Sequence, residues 1–265
     1  MVFPTLLIPK IRLPGFACTG MVLFCCFKIS AFVATNWVSP SGNNTTGNGT
    51  ATNPYATLQK AIDVSAHGDL IILKSGNYAG VGNQNLTINK ALTLWSEAGP
   101  GSTTVNAGRQ RILTSTLSGT NQSLIIRGLT FTNGYLEFNG DWNHDSLIRL
   151  NAGSFEFRDC VFRQNEVKAT YVTSNLWLVG TASGDANLAR VTIRNSLFHN
   201  NTMGCGGWVN SIGGGGGAIF WAPGNSLMER CTVIGNSFYS STSGNGSRYI
   251  AGGGRADSMI VRNLS

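Results

Sequence analysis

Asp141, His144, Asp145 and Arg149 crowd one short stretch of the chain, residues 141–149. Two carboxylates with an imidazole between them and a guanidinium close by are side-chain types suited to acid–base chemistry on a glycosidic bond. That chemistry places two carboxyl groups roughly 5–10 Å apart. The sequence spacing is not diagnostic of such a separation, and two solvated aspartates in a loop are the commoner arrangement. These four residues are the catalytic candidates, and no metal-ligand set accompanies them. A second group is aromatic: Tyr135, Trp142, Tyr171, Trp208 and Tyr239. Rings with polar neighbours suit stacking on sugars. For Trp142 and Trp208, packing against their own loops is the alternative.

A third group is basic and recurs. Leu124-Ile125-Ile126-Arg127-Gly128-Leu129-Thr130-Phe131 returns as Phe155-Glu156-Phe157-Arg158-Asp159-Cys160-Val161-Phe162. It returns again as Val191-Thr192-Ile193-Arg194-Asn195-Ser196-Leu197-Phe198 and as Leu227-Met228-Glu229-Arg230-Cys231-Thr232-Val233-Ile234. A fifth copy starts at Met259-Ile260-Val261-Arg262-Asn263-Leu264. The five arginines, 127, 158, 194, 230 and 262, lie 31, 36, 36 and 32 residues apart. Stacked close together, they would repel in solvent. Either a polyanion relieves this, or Glu156, Asp159 and Glu229 already partner them; the second reading is the simpler.

A phrase at this period indicates a solenoid. Each copy holds two runs of alternating polarity joined by one turn-tolerant residue, Gly128, Asp159, Asn195, Cys231 or Asn263. β-Branched and aromatic residues argue for strands over helices. A second set of strands lies around Leu147–Leu150, 176–180, 217–221 and 249–252. The expected fold is therefore all-β: a right-handed parallel β-helix of three-strand coils, with Phe131, Phe162, Phe198 and Ile234 stacked inside. The extra residues 133–145, 165–175, 201–215 and 237–248 follow each phrase and predict a loop-bearing edge, the usual binding side of a repeat protein. Residues 53–66 carry apolar positions at 55, 58, 61 and 62 behind Pro54, which predicts an amphipathic helix capping the first coil.

The run from Trp37 to Gly42, the segment Asn53-Pro54-Tyr55-Ala56-Thr57-Leu58-Gln59-Lys60-Ala61-Ile62, and Gly68-Asp69-Leu70-Ile71-Ile72-Leu73 resemble the cap and first coil of the pectin-lyase-like superfamily. The resemblance covers nearly all of 37–265. It implies a right-handed β-helix and, for the enzymes of that group, polysaccharide lyase or hydrolase activity. Calcium enters as a cofactor only if the lyase alternative holds; otherwise none is expected. Phe162-Arg163-Gln164-Asn165 and Phe198-His199-Asn200-Asn201 are similar to the FxxN element of chlamydial polymorphic outer-membrane proteins, and Gly216-Gly217-Ala218-Ile219 to their GGAI element. That likeness implies an adhesin-like surface role.

Residues 1–34 read as a secretory signal peptide or N-terminal anchor: Lys10 and Arg12, an apolar stretch over 16–27, then Ala31 and Ala34. Residues 35–265 form the single β-helix domain. Lys10, Arg12 and Lys28 leave with the leader, so the formal charge falls from +7 to +4. With 12% charged residues and no basic patch interleaved with aromatics, nucleic acid is not the expected partner. Outside the leader remain Cys160, Cys205 and Cys231, an odd number that argues against a disulfide framework. Sequons such as Asn43, Asn48 and Asn121 permit glycosylation. The expectation is a secreted or cell-surface scaffold binding a polysaccharide or cell-surface glycan through the loop edge, with a polysaccharide lyase or hydrolase as the alternative. Because the fifth phrase breaks off, either a longer natural chain or a capping partner is expected to cover the C-terminal coil.

Overall fold

Four parallel sheets wind around one apolar core. The computed structural model describes residues 33–138, 144–169, 175–181, 189–205, 216–221, 226–240, 247–252, 255–257 and 260–262. Sheet one runs Thr35–Val38, Leu70–Leu73, Leu92–Ser96, Ser123–Arg127, Gly153–Arg158, Ala189–Arg194, Leu227–Glu229 and Arg255–Asp257. Sheet two runs Gly76–Ala79, Thr103–Asn106, Thr130–Thr132, Val161–Arg163, Leu197–His199, Thr232–Ile234 and Ile260–Arg262. Sheet three has Tyr135–Phe138, Glu166–Ala169, Thr202–Cys205 and Ser237–Ser240. Sheet four has Leu86–Ile88, Leu113–Ser115, His144–Leu150, Asn175–Thr181, Gly216–Trp221 and Ser247–Gly252. The chain visits the sheets in turn and returns one coil further on, with neighbours always parallel. This is the right-handed parallel β-helix that the resemblance implies, the hand that parallel crossovers take.

Two expectations are corrected here. The first coils have three strands, but from Tyr135 onward each coil has four. The stretches expected to be loops begin with the strands of sheet three. Their inward residues Val167 and Met203 are buried and in register with Leu136. Burial of that row draws the stretch onto the core.

The second correction is one of register. Phe131, Phe162 and Phe198 do stack inside, with ring centroids 5.5 and 4.6 Å apart and planes within 20° and 9° of parallel. The next residue in the row is Val233, fully buried, and not Ile234, which pairs with His199 on the outer side. Alignment of the fourth phrase on its arginine puts Arg230 opposite Arg194. The residue in register with Arg194 is Glu229, and Arg230 takes the left-handed corner at φ 51° in place of Cys231. Arg262 pairs with Ile234 on sheet two, so the fifth phrase belongs to that sheet and Val261 holds the position of Phe198 and Val233.

Corners are made by single left-handed residues. Between sheets one and two these are Gly128, Asp159, Asn195 and Arg230; between sheets two and three, Asn133, Gln164, Asn200 and Gly235. Asparagine and glycine tolerate that conformation best. After the second corner comes a buried amide row: Asn165, Asn201 and Asn236. Asn165 Nδ2 donates to Asn201 Oδ1 at 2.9 Å, and Asn201 Nδ2 to Asn236 Oδ1 at 2.8 Å. Each Nδ2 also donates to a carbonyl one coil back, that of Phe131, Phe162 or Phe198. Each Oδ1 accepts a backbone N–H from the preceding coil, from Gly134, Asn165 and Asn201. This is the physical content of the FxxN spacing: the aromatic fills the core, the residue two later turns the corner, and the asparagine after it ties the coils.

At the N-terminal end the helix covers Leu58–Val64, shorter than the expected 53–66. Tyr55 is held in a bridge to Val38, and Thr57 caps the helix by accepting from Lys60 N. Leu58, Ala61 and Ile62 are buried against the first strands of sheets one and four. Lys90 Nζ donates to the carbonyls of Ile62, Asp63 and Ser65, placing a cation at the negative helix end.

Two substitutions test this framework. Phe162→Ala should cost about 3–5 kcal/mol through a cavity between two coils. Asn201→Ala should cost about 1–3 kcal/mol, because it strands the Asn165 amide and a backbone donor in the core. Urea unfolding measures both. An unchanged midpoint for Asn201→Ala would remove the ladder from the account.

Candidate functional site

Strand alternation throws every second residue of sheet one outward. One outward row reads Trp95, Arg127, Arg158, Arg194, Glu229 and Asp257, each in register with the next. The basic row therefore holds three arginines, not five. Trp95 stands at one end with 46% of its surface exposed, unusual for so large a ring. Leu92 and Leu94 on the same strand face the core, so Trp95 is outside by alternation and not by misfit.

The arginines are neutralised unequally. Arg194 Nε lies 2.6 Å from Glu229 Oε1, a tight pair. Arg127 reaches Glu156 only at 3.7 Å, beyond hydrogen-bond length; neither its Nε nor that of Arg194 makes a hydrogen bond, so the ion-pair distances alone separate the two. Arg158 meets Asp159 at 3.4 Å. The carboxylate partners expected for the row are thus present, and the pairing is loosest beside Trp95. A groove runs over this end, lined by Thr93, Trp95, Glu97, Arg127, Arg158 and Asp159. Such a groove can stack one ring and offer guanidinium N–H groups to oxygens beside it.

The expected catalytic residues are distributed differently. Asp145 is 8% exposed and accepts twice from Arg111, Nη1 to Oδ1 at 2.9 Å and Nη2 to Oδ2 at 2.6 Å. Ser146 N donates to it as well, and Arg149 Nη1 lies 3.9 Å away. Arg111 also donates to the Ser146 carbonyl. Asp145 therefore belongs to an ion pair under sheet four and is not a solvated loop carboxylate. His144 lies on the same strand, but only its backbone is described. Asp141, Trp142, Tyr171 and Trp208 lie outside the described residues. Tyr239 is placed by backbone alone, on sheet three in register with Gly204.

Tyr135 is described fully, and it sits on a strand of sheet three, not in a loop. The Arg109 guanidinium lies 4.0 Å from its ring centroid, so one face is already covered. Its hydroxyl donates to Glu137, which raises the Tyr135 pKa, with burial adding to the effect. Arg109 pairs with Glu166 at 3.3 Å, and Lys168 with Glu137 at 3.0 Å. Sequence reading missed Trp95, Arg109 and Arg111. The signal for Trp95 was available: in Leu92-Thr93-Leu94-Trp95-Ser96 the alternation that turns Leu92 and Leu94 inward turns a large ring outward beside Thr93.

Cys160 and Cys231 are buried free thiols at the corner between sheets one and two. Burial pushes the Cys160 thiol up to about 12 and raises that of Cys231. Among the described residues no cluster of His, Cys, Asp or Glu could hold a metal ion. No described helix is long and apolar enough to cross a membrane.

No protein-family model matches the chain, and no curated protein matches it. Three solved structures are similar. A rhamnogalacturonan lyase is 14% identical with a TM-score of 0.43, over 85% of this chain and 62% of that one. An alginate lyase of family PL6 is 15% identical with a TM-score of 0.43, over 88% of this chain and 39% of that one. A pectin methylesterase from Aspergillus niger is 14% identical with a TM-score of 0.31, over 89% of this chain and 86% of that one. The chain thus spans less than two thirds of the two lyases.

Two outcomes follow from the buried groups. Asp145→Asn should destabilise the fold by about 2–4 kcal/mol, since it leaves the Arg111 charge shielded and unpaired; chemical unfolding measures it, and an unchanged stability would return Asp145 to the candidates for chemistry. Cys160 should resist iodoacetamide at pH 8 until the chain is unfolded, as read by peptide mapping. The native state holds that thiol proton more tightly than the unfolded chain. Its stabilising contribution is therefore complete at neutral pH and declines as pH rises from about 8.5 towards about 12.

Proposed function

We propose that this chain is a secreted or cell-surface β-helix scaffold that binds carbohydrate without transforming it. The binding surface is the groove of sheet one around Trp95. One observation carries the reading: an exposed indole in register with Arg127 and Arg158, the two least tightly paired guanidiniums of the row. A sugar ring stacks on Trp95 while Arg127 and Arg158 donate to oxygens of neighbouring rings, one coil apart. Adjacent coils repeat at about 4.8 Å, close to the length of one sugar unit. This match supports a site on the strand face.

The alternative is a polysaccharide lyase or glycoside hydrolase. It is favoured by two carboxylates in the same groove, Glu97 and Asp159. Asp159 is engaged with Arg158, and the Glu97 side chain makes no hydrogen bond or ion pair among the described residues.

A glycan array with the wild-type chain, followed by titration of the best ligand, tests the proposal. Trp95→Ala should weaken binding about tenfold or more, equivalent to about 1.4 kcal/mol, with the unfolding midpoint retained. Arg127→Gln should weaken it less. Unchanged affinity in Trp95→Ala, with loss in Trp142→Ala and Trp208→Ala, would move the site to the loop edge. Release of sugar products by the wild type, lost in Glu97→Gln, would establish the enzyme.

A further inference from the structure

Sheet two meets sheet one at the single-residue corner, yet its surface chemistry is opposite. Its seven strands contain no aspartate or glutamate. One outward row reads Asn106, Thr132, Arg163 and His199, each in register with the next. Arg163 is exposed, and its side chain makes no hydrogen bond or ion pair among the described residues. This sets it apart from Arg127, Arg158 and Arg194 of sheet one, all of which have a carboxylate within 4 Å.

A groove crosses this sheet, lined by Asn77, Thr104, Asn106, Thr132, Arg163 and Gln164. Asn77 and Thr104 stand in register on adjacent strands. The side chains of Asn77, Thr104 and Gln164 make no hydrogen bond among the described residues. Asn106 is held in place by its own contacts, its Oδ1 accepting from Gly108 N at 3.0 Å and from Asn133 Nδ2 at 3.2 Å. Gly101 leaves the groove open: a Cβ built there would have no atom within 4 Å.

We propose that this groove is a second glycan site, specific for a carboxylate-bearing sugar whose acid group rests on Arg163. No aromatic lines it, so stacking and apolar burial contribute little. Recognition must come from hydrogen bonds and charge. Amides and hydroxyls at strand spacing suit a chain of sugar hydroxyls. A guanidinium without a protein partner suits a carboxylate, which it meets with two parallel N–H···O bonds. The absence of acidic residues across the sheet leaves that charge uncancelled. The site is separate from the Trp95 groove, on a different sheet, and its test does not depend on the outcome there.

Isothermal titration of the full chain with tetragalacturonate and with its fully methyl-esterified form decides the matter. Both are run in 150 mM salt and in a Trp95→Ala background, so that binding reports sheet two. The acid form should bind, and the ester at least tenfold more weakly. Arg163→Gln should lower affinity for the acid form at least tenfold, and Arg163→Lys should fall between. Arg163 is exposed, so unfolding midpoints should match the parent. The proposal is overturned if the acid form does not bind the parent, if ester and acid bind alike, or if Arg163→Gln binds within threefold of the parent.

Discussion

The fold depends on the corner between sheets two and three and on the residue that follows it. One residue adopts the left-handed conformation, and the next is an asparagine whose side chain is buried between coils. The Asn165–Asn201–Asn236 row satisfies each coil's backbone and side-chain amides with groups of the coils beside it. A buried amide without such partners costs about 1–3 kcal/mol, so a coil cannot slip along its neighbour without losing several contacts together. Slippage by one residue would also turn every inward side chain out. The ladder and the phenylalanine stack three residues before it therefore specify the same register. Hydrophobic burial supplies most of the driving force, and the amides decide which alignment is adopted.

That register determines the chemistry of the surface. Each outward row is a list of residues one coil apart, and a displacement of one residue changes its charge. Arg230 shows this. Had it taken the position of Glu229, the row above Arg194 would have extended the positive stripe. Instead Glu229 stands there, pairs with Arg194 at 2.6 Å and reaches Arg230 at 3.3 Å from the corner. The basic row ends and an acidic one begins, with Asp257 next in register. The arginine end of sheet one, beside Trp95, is consequently the end whose guanidiniums retain donors for a ligand.

Much of this was legible in the residues. The repeat length, the alternation and the turn residues Gly128, Asp159 and Asn195 pointed to a parallel β-helix, and the aromatic row was found at three of four positions. The fourth failed because the alignment followed identity, matching Arg230 to Arg194, while the core follows volume and burial, matching Val233 to Phe198. Sheet three was read as loop because its strands are four residues long and include Glu166-Val167-Lys168-Ala169, which has little β-branched content to signal a strand. The partner of Asp145 was hidden for another reason. Arg111 lies 34 residues away, and only the winding of the coil brings the two together.

Sheets one and two share a scaffold and a strand spacing, yet differ in how charge is balanced. On sheet one each arginine of the row faces an acid, and selectivity there must come from shape and stacking, with guanidiniums as donors of hydrogen bonds. On sheet two Arg163 faces none. An exposed, unpaired guanidinium contributes little to stability, since exposed pairs are themselves worth only about 0–1 kcal/mol. Stability therefore gives no strong reason for an acid to accompany it, and none for its place in a groove of unpaired amides and hydroxyls. A solenoid converts such small differences between adjacent faces into different specificities, because each face presents its side chains in rows fixed by the same buried ladder.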